Sequence, residues 1–349
     1  MNGRRLISAS TALVLAGMAL AGAPVTLDLT PIKDNTLFEN DPNASNGAGI
    51  VLFAGETSSF GSRRAVLAFD IDGSVPPGST VLEVTLILSV SNAGPGASNG
   101  DVYRLYRLLN DWGEAGSSSA GGMGAPAQNG DATWSHRFFS DQPWNSLGGD
   151  FRSSASAARQ VPVTGIVPFS SPAMVADVAN WLTGSVSNFG WILIGSESQP
   201  SSARLFGSRE GTNPPLLRIE FAAPPGAGAV PNGGNVPGQP LRISKGGTAS
   251  NPTIDLAWGR GCRVEPDYSV YVGSIGQYYS HDFLVCSTAG RPRLLDVPVT
   301  GNDSEYYVVV PIDYADEEGS YGVDGDLSQR PVGIAGCPRP QVLADPLCP

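Results

Sequence analysis

Nine consecutive residues constrain this chain more than any others. Leu82, Val84, Leu86, Leu88 and Val90 alternate with Glu83, Thr85, Ile87 and Ser89. A period of two separates an apolar face from a more polar one only in a β-strand. Such a strand hides its apolar face by packing on a second layer. Leu217, Ile219 and Phe221 alternate with Leu216, Arg218 and Glu220 in the same way. Further strands are predicted at residues 25–32, 49–55, 65–71, 102–109, 133–139, 191–196 and 203–206. The 44 glycines and 29 prolines make helix interiors unfavourable over about a fifth of the chain. One helix is expected, over residues 172–183. Ser171 is placed to cap it, Pro172 takes the first helical position and Gly184 follows its end. Met174, Val175, Val178, Trp181 and Leu182 form its apolar stripe. Many short strands with no strand–helix–strand rhythm predict an all-β fold, a jelly-roll β-sandwich with one short helix over residues 25–222. Residues 113–130, rich in Gly, Ala and Ser, read as loop.

Residues 223–240 carry no charge and are mostly Pro, Gly, Ala and Asn, which reads as a semi-flexible linker. Beyond it, residues 241–349 show short strands at 241–244, 253–258, 268–272, 283–286, 294–299 and 306–311. That spacing predicts a smaller immunoglobulin- or fibronectin III-like β-sandwich, with Trp258, Tyr306 and Tyr307 as core positions.

The start of the chain reads as an address. Arg4 and Arg5 precede an uncharged stretch over residues 6–20, and Ala19-Leu20-Ala21 supplies a cleavage motif. A signal peptide over residues 1–21, cut after Ala21, implies export and an extracellular location. The apolar run is short for a membrane span, so no membrane insertion is expected after cleavage. Acidic residues outnumber basic ones 32 to 21, for a formal charge of −11, and Lys33 and Lys245 are the two lysines. That balance argues against nucleic acid as a partner. Cys262, Cys286, Cys337 and Cys348 lack the C-x-x-C spacing of a zinc site and read as two disulfides in an exported chain. Three connectivities are open. The expected one is Cys262–Cys286, joining neighbouring strand regions, with Cys337–Cys348 closing the tail.

Several phrases resemble one family. They are TPIKDNTLFEN (30–40), SNGAGIVLFAGET (45–57), RRAVLAFDI (63–71), GDATW (130–134), GGDF (148–151), ADVANWL (176–182), NFGWILIGSES (188–198) and FGSREGTNPPLLRIEF (206–221). Together they are similar to the DNRLRE domain of secreted bacterial proteins, related to disaggregatase and to the family 96 carbohydrate-binding modules. The resemblance implies a jelly-roll β-sandwich that serves extracellular polysaccharide biology. Residues 241–339, with DYSVYVGSIGQYYSHDFLVCS and SEYYVVVPIDYADEEGSYGVDGDLSQRP, resemble the fibronectin type III-like modules that end such proteins. That likeness implies a spacer or adhesion role.

The chemistry-bearing patterns are few. Gly96-Ala97-Ser98-Asn99-Gly100 fits G-x-S-x-G, with Asp131 and His136 following in the serine hydrolase order. The motif sits in a Gly/Pro turn rather than a strand-to-helix elbow, so it reads as a hairpin loop. Asp70 and Asp72 share one strand face, but they do not straddle a cleft as glycoside hydrolysis requires. Trp134, His136, Arg137 and Trp144 are the glycan-binding candidates, because aromatic rings stack on sugar faces while polar neighbours orient hydroxyls. The same rings could instead plug one end of the sandwich. A uronate lyase would need a base and a cation, which His136, Arg137 and Tyr103 or Tyr106 could supply. Asp313, Asp316, Glu317, Glu318, Asp324 and Asp326 offer hard oxygens without calcium-loop spacing, so a solvated acidic loop is expected. No cofactor is expected, a structural calcium being the one addition left open. The expected function is a secreted, non-catalytic protein that binds or organises extracellular polysaccharide. A polysaccharide lyase or hydrolase related to disaggregatase and a structural matrix or adhesion protein are the alternatives; the oligomeric state is not legible.

Overall fold

The computed structural model describes residues 23–348 apart from 60, 120, 249, 300–303 and 334. The signal peptide read in residues 1–21 lies outside the described residues.

The first unit is built on an eleven-stranded antiparallel sheet. Its path runs from Pro24–Leu29 through Leu216–Ala222, Thr80–Ala93, Arg204–Gly207 and Val51–Glu56. It then continues through Ser62–Ala68, Trp191–Ile194 and Val102–Arg107 to Ala157–Gln160. Gly165–Ser170 pairs with Thr80–Ala93, and Lys33–Phe38 with Ser62–Ala68. The sheet curls until its two halves face each other as a β-sandwich. Val84, Leu86, Leu88, Val90, Phe206, Leu217 and Ile219 come from one half. Leu67, Leu105, Trp191 and Leu193 meet them from the other. Val51–Glu56 makes the corner: Ala54 still pairs with Arg204, while Gly55 and Glu56 pair with Arg63 and Ser62. Gly55 has φ +109, and a Cβ there would lie 2.7 Å from the Tyr103 hydroxyl. Only glycine fits that bend.

The alternating run lies within the fourteen-residue strand Thr80–Ala93, and Val84, Leu86, Leu88 and Val90 point into the core. The helix forms as Pro172–Leu182, with Ser171 Oγ accepting the Met174 N–H at 3.1 Å. Met174, Val178 and Trp181 bury its inner face. Residues 94–101, which carry the G-x-S-x-G pattern, are not a hairpin. They cross from Thr80–Ala93 on one half of the sheet to Val102–Arg107 on the other.

The second unit has six strands among the described residues, in two sheets of three. Arg242–Thr248, Asn251–Ala257 and Arg293–Pro298 form one; Asp282–Val285, Asp267–Ser274 and Glu305–Ile312 form the other. Leu256, Trp258 and Val297 meet Tyr268, Val270 and Val309 between them, the small sandwich expected.

Two expectations give way here. Residues 223–240 do not hang free. Ala227, Ala229 and Val236 are buried. Ala227 exchanges backbone hydrogen bonds with Val342 and Ala344 at 3.0 and 3.1 Å, and Gly228 accepts from Ser320 at 2.9 Å. A segment with small side chains cannot build a core of its own, but it can lie flat against another's and use its peptide groups there. The disulfides are Cys262–Cys348 and Cys286–Cys337, not the pairing expected from neighbouring position in sequence. Bridges Asp282–Ala335 and Ala227–Leu343 hold the returning tail against the strand Asp282–Val285 and the 223–240 segment. This sets Cys337 beside Cys286 and Cys348 beside Cys262. The two bonds suit an oxidising compartment. No described helix is long and apolar enough to cross a membrane.

The two units touch. Arg260 donates to the Gly73 carbonyl at 2.6 Å, and the Phe221 and Tyr314 rings meet edge to face with centroids 5.6 Å apart.

Candidate functional site

Residues 130–151 fold into a compact loop around the hairpin of His136–Phe138 with Gln142–Pro143. Trp134 and Trp144 point inward, 6% and 5% exposed, into a cluster with Leu37, Val66, Leu108, Trp112 and Ile192. The Trp144 indole N–H donates to the Thr133 carbonyl at 2.8 Å, and the Arg64 guanidinium covers the Trp134 ring at 4.6 Å. These rings have no free face for a sugar; of the two readings, core packing describes them. His136 and Arg137 remain half-buried. The His136 ring sits against Phe139, and Arg137 lies over Phe138 while reaching the Asp111 carbonyl at 3.4 Å.

The open cleft beside this loop, about 390 Å³, is lined by Arg64, Asn110, Asn145, Ser146 and Asp150 among others. Its charged groups, Arg64 and Asp150, are already engaged. Arg64 is bidentate to Glu197 at 2.7 and 2.8 Å and bonds the Gly148 carbonyl. Asp150 accepts from Asn110, from both nitrogens of Asn145 and from the Ser146 N–H. Asp150 already answers four donors, three on Oδ2 and one on Oδ1, which makes it a weaker base than a free carboxylate. Tyr103, considered for a lyase, is sealed in the main core. Its hydroxyl bonds the Ala54 and Ser202 carbonyls, and burial pushes it up to about 12.

A different aromatic group faces solvent. The turn between Asp267–Ser274 and Asp282–Val285 carries Tyr278 and Tyr279, 65% and 40% exposed. Tyr279 takes φ +69, a conformation costly for a bulky side chain. Tyr306 and Tyr307 come from the start of Glu305–Ile312. Asp324 and Arg330 come from the loop that follows. Together with buried His281 they line an open cleft of about 270 Å³. The Tyr278 and Tyr306 rings lie 5.9 Å apart at 39°, and Tyr306 Oη meets His281 Nδ1 at 3.2 Å. The Asp324 carboxylate accepts the Asp326 and Ser328 N–H groups through Oδ1 at 3.0 Å. Its Oδ2 faces Tyr279 Oη at 3.5 Å. Burial and the Arg330 charge hold His281 below the usual imidazole range, so it is neutral near pH 7. Burial and the Glu305 carboxylate raise the Tyr307 hydroxyl far above the ordinary phenol range. The adjacent run Tyr278-Tyr279 was the available sequence signal, since a polar turn has no folding need for two aromatic rings.

The acidic stretch does not gather into one cation site. Asp313 caps the Ala315 and Glu317 N–H groups, and Asp316 pairs with Arg339 at 2.5 Å. Glu318 is buried beneath the hydroxyls of Tyr271 and Tyr321. Among the described residues, the carboxylates close enough to share an ion are Asp34, Glu114 and Glu210 on the first sandwich.

No known family model matches the chain. No curated protein is similar to it either. Ten solved chains match. Among them, a beta-1,2-glucanase from Parabacteroides distasonis is 12% identical over 75% of this chain at a TM-score of 0.19, and this chain spans 30% of that protein's length. A likeness so slight carries no argument.

Proposed function

We propose that this is an exported, non-catalytic protein that binds extracellular polysaccharide, and that its second sandwich presents the binding surface. One observation carries the reading: Tyr278, Tyr279, Tyr306 and Tyr307 surround a single open cleft rimmed by Asp324 and Arg330. Leaving Tyr278 largely in water forgoes the gain that burying an aromatic ring brings, so the fold does not explain it. Ring faces suit the C–H faces of sugars, while a carboxylate and a guanidinium suit their hydroxyls. The phrases of residues 25–222 that resemble a carbohydrate-associated family are consistent with a role at extracellular polysaccharide, though they lie in the other sandwich. The first sandwich would then be the scaffold that the second is anchored to.

The test is affinity electrophoresis through gels containing a β-glucan, a xylan, a pectin or an alginate, with the polymer sized afterwards. At least one gel should retard the protein, and Tyr278→Ala and Tyr306→Ala should weaken retardation about tenfold, roughly the 1.4 kcal/mol that one stacked ring contributes. Retardation by none of them would remove the glycan reading. Shortened polymer would replace it with an enzymatic one.

A further inference from the structure

The strand Lys33–Phe38 is polar by composition, yet its Asp34 is fully buried. Oδ2 of Asp34 accepts the Arg209 backbone N–H at 2.8 Å, while Oδ1 meets no donor at all. An ionised carboxylate shut away from water is costly unless a positive partner reaches it. The fold has thus left one oxygen of a buried carboxyl group unanswered.

Three segments far apart in the chain converge on this spot. Oxygens of Asp34, of Glu114 in the loop 113–130 and of Glu210 after Arg204–Gly207 all lie within 4.8 Å of one another. Ligands on opposite sides of a calcium ion, each at about 2.4 Å, are at most about 4.8 Å apart. The cation present is Arg209. It bonds Glu114 through Nε and Nη2 at 3.2 and 2.9 Å, and Glu210 through Nε at 2.9 Å. The Arg209 side chain thus answers Glu114 and Glu210, whereas Asp34 receives only the Arg209 backbone N–H on Oδ2.

We propose that Asp34, Glu114 and Glu210 bind a divalent cation of the calcium type. All three ligands are hard oxygens, which suit calcium or magnesium rather than a softer transition metal. Glu210 is exposed, so the open side can fill with water, as the irregular coordination of calcium allows. The ion gives Asp34 Oδ1 its missing partner. It also ties the segment carrying Glu114 to the strand Lys33–Phe38 and to the turn that follows Arg204–Gly207. The site is separate from the tyrosine cleft and stands whether or not that cleft binds glycan.

The test is calorimetric titration of calcium chloride into the full chain after treatment with chelator, alongside its thermal unfolding. Calcium should bind at one site carried by these residues and raise the midpoint of unfolding by several degrees at saturation. Glu210→Gln, a change at an exposed position, should weaken that binding at least tenfold, and Asp34→Asn should abolish it. Magnesium should compete more weakly. Absence of heat and of a thermal shift up to about 10 mM calcium, beyond the range of extracellular calcium modules, would overturn the proposal. Wild-type affinity in both variants would overturn it as well, because the ion would then lie elsewhere.

Discussion

The two sandwiches solve the same problem by opposite means. The first, without a cysteine, fills its interior with large side chains: Trp191, Phe69, Phe169 and Phe206 are completely buried. It even encloses arginines. Arg204 lies in the interior with its donors spread over the carbonyls of Pro162, Val161, Ser98 and Ser202, the Tyr103 hydroxyl and Asp101. Arg204 shows how such a core carries a buried charge, since each of its nitrogens meets an acceptor. The second sandwich divides its buried apolar residues between two small clusters and holds both disulfides. A short chain buries too little apolar surface to offset its conformational entropy, so cross-links that restrain the unfolded state do the rest. The same contrast appears outside. The large sandwich draws its tryptophans in, whereas the small one leaves tyrosines in the open.

Reduction should break the comparison most strongly. The Cys286–Cys337 and Cys262–Cys348 loops, 51 and 86 residues apart in sequence, should each contribute about 4–5 kcal/mol in the chain-entropy account. Reductant should therefore unfold residues 241–348 while leaving residues 24–222 protected, as read by hydrogen exchange with peptide-level resolution. Equal loss of protection in both halves would mean that the larger sandwich depends on its neighbour.

A smaller effect belongs to Trp144. Its ring is core, so Trp144→Ala should destabilise the first sandwich by about 3–5 kcal/mol in a denaturant titration. Retardation on a polysaccharide gel should be unchanged for the fraction that stays folded. A variant with wild-type stability but lost retention would return the glycan site to residues 130–151.

The smallest effect concerns His281, enclosed by Tyr271, Tyr306 and Tyr321 with Arg330 and Asp282 acting on its charge. Its folded value is depressed, while the unfolded chain takes up a proton near pH 6.5. The stability it contributes is present above roughly that pH and lost as pH falls through it toward the folded value. The unfolding midpoint of the second sandwich should therefore drop on mild acidification, and His281→Gln should flatten that drop. An unchanged pH profile in His281→Gln would show that other groups govern it.

Much of the framework was legible because it is local. The alternation of Thr80–Ala93, the cap and apolar stripe of Pro172–Leu182 and most strand positions follow from side-chain period and turn chemistry. Lys33–Phe38 was not, because Asp34, Asn35 and Thr36 look like surface residues. They are buried there because Asn35 Oδ1 accepts from Ser45 Oγ and the Thr36 and Asn46 N–H groups, partners that only the fold brings near. The candidate sites divide the same way. Trp134 and Trp144 have the composition of a sugar platform, but whether a ring faces water depends on what packs over it.

The sequence by itself determined that the described residues are nearly all β-strand with one helix, that the chain has two parts of different chemistry, and that its four cysteines belong to the second. Those properties depend on neighbours along the chain or on plain counts. Tertiary structure alone decided which cysteines join, that residues 223–240 are packed, and which aromatic rings stay in solvent. It also decided that Asp34, Glu114 and Glu210 meet. Each of these depends on distances between segments tens of residues or more apart, and only closure of the sheets sets those distances.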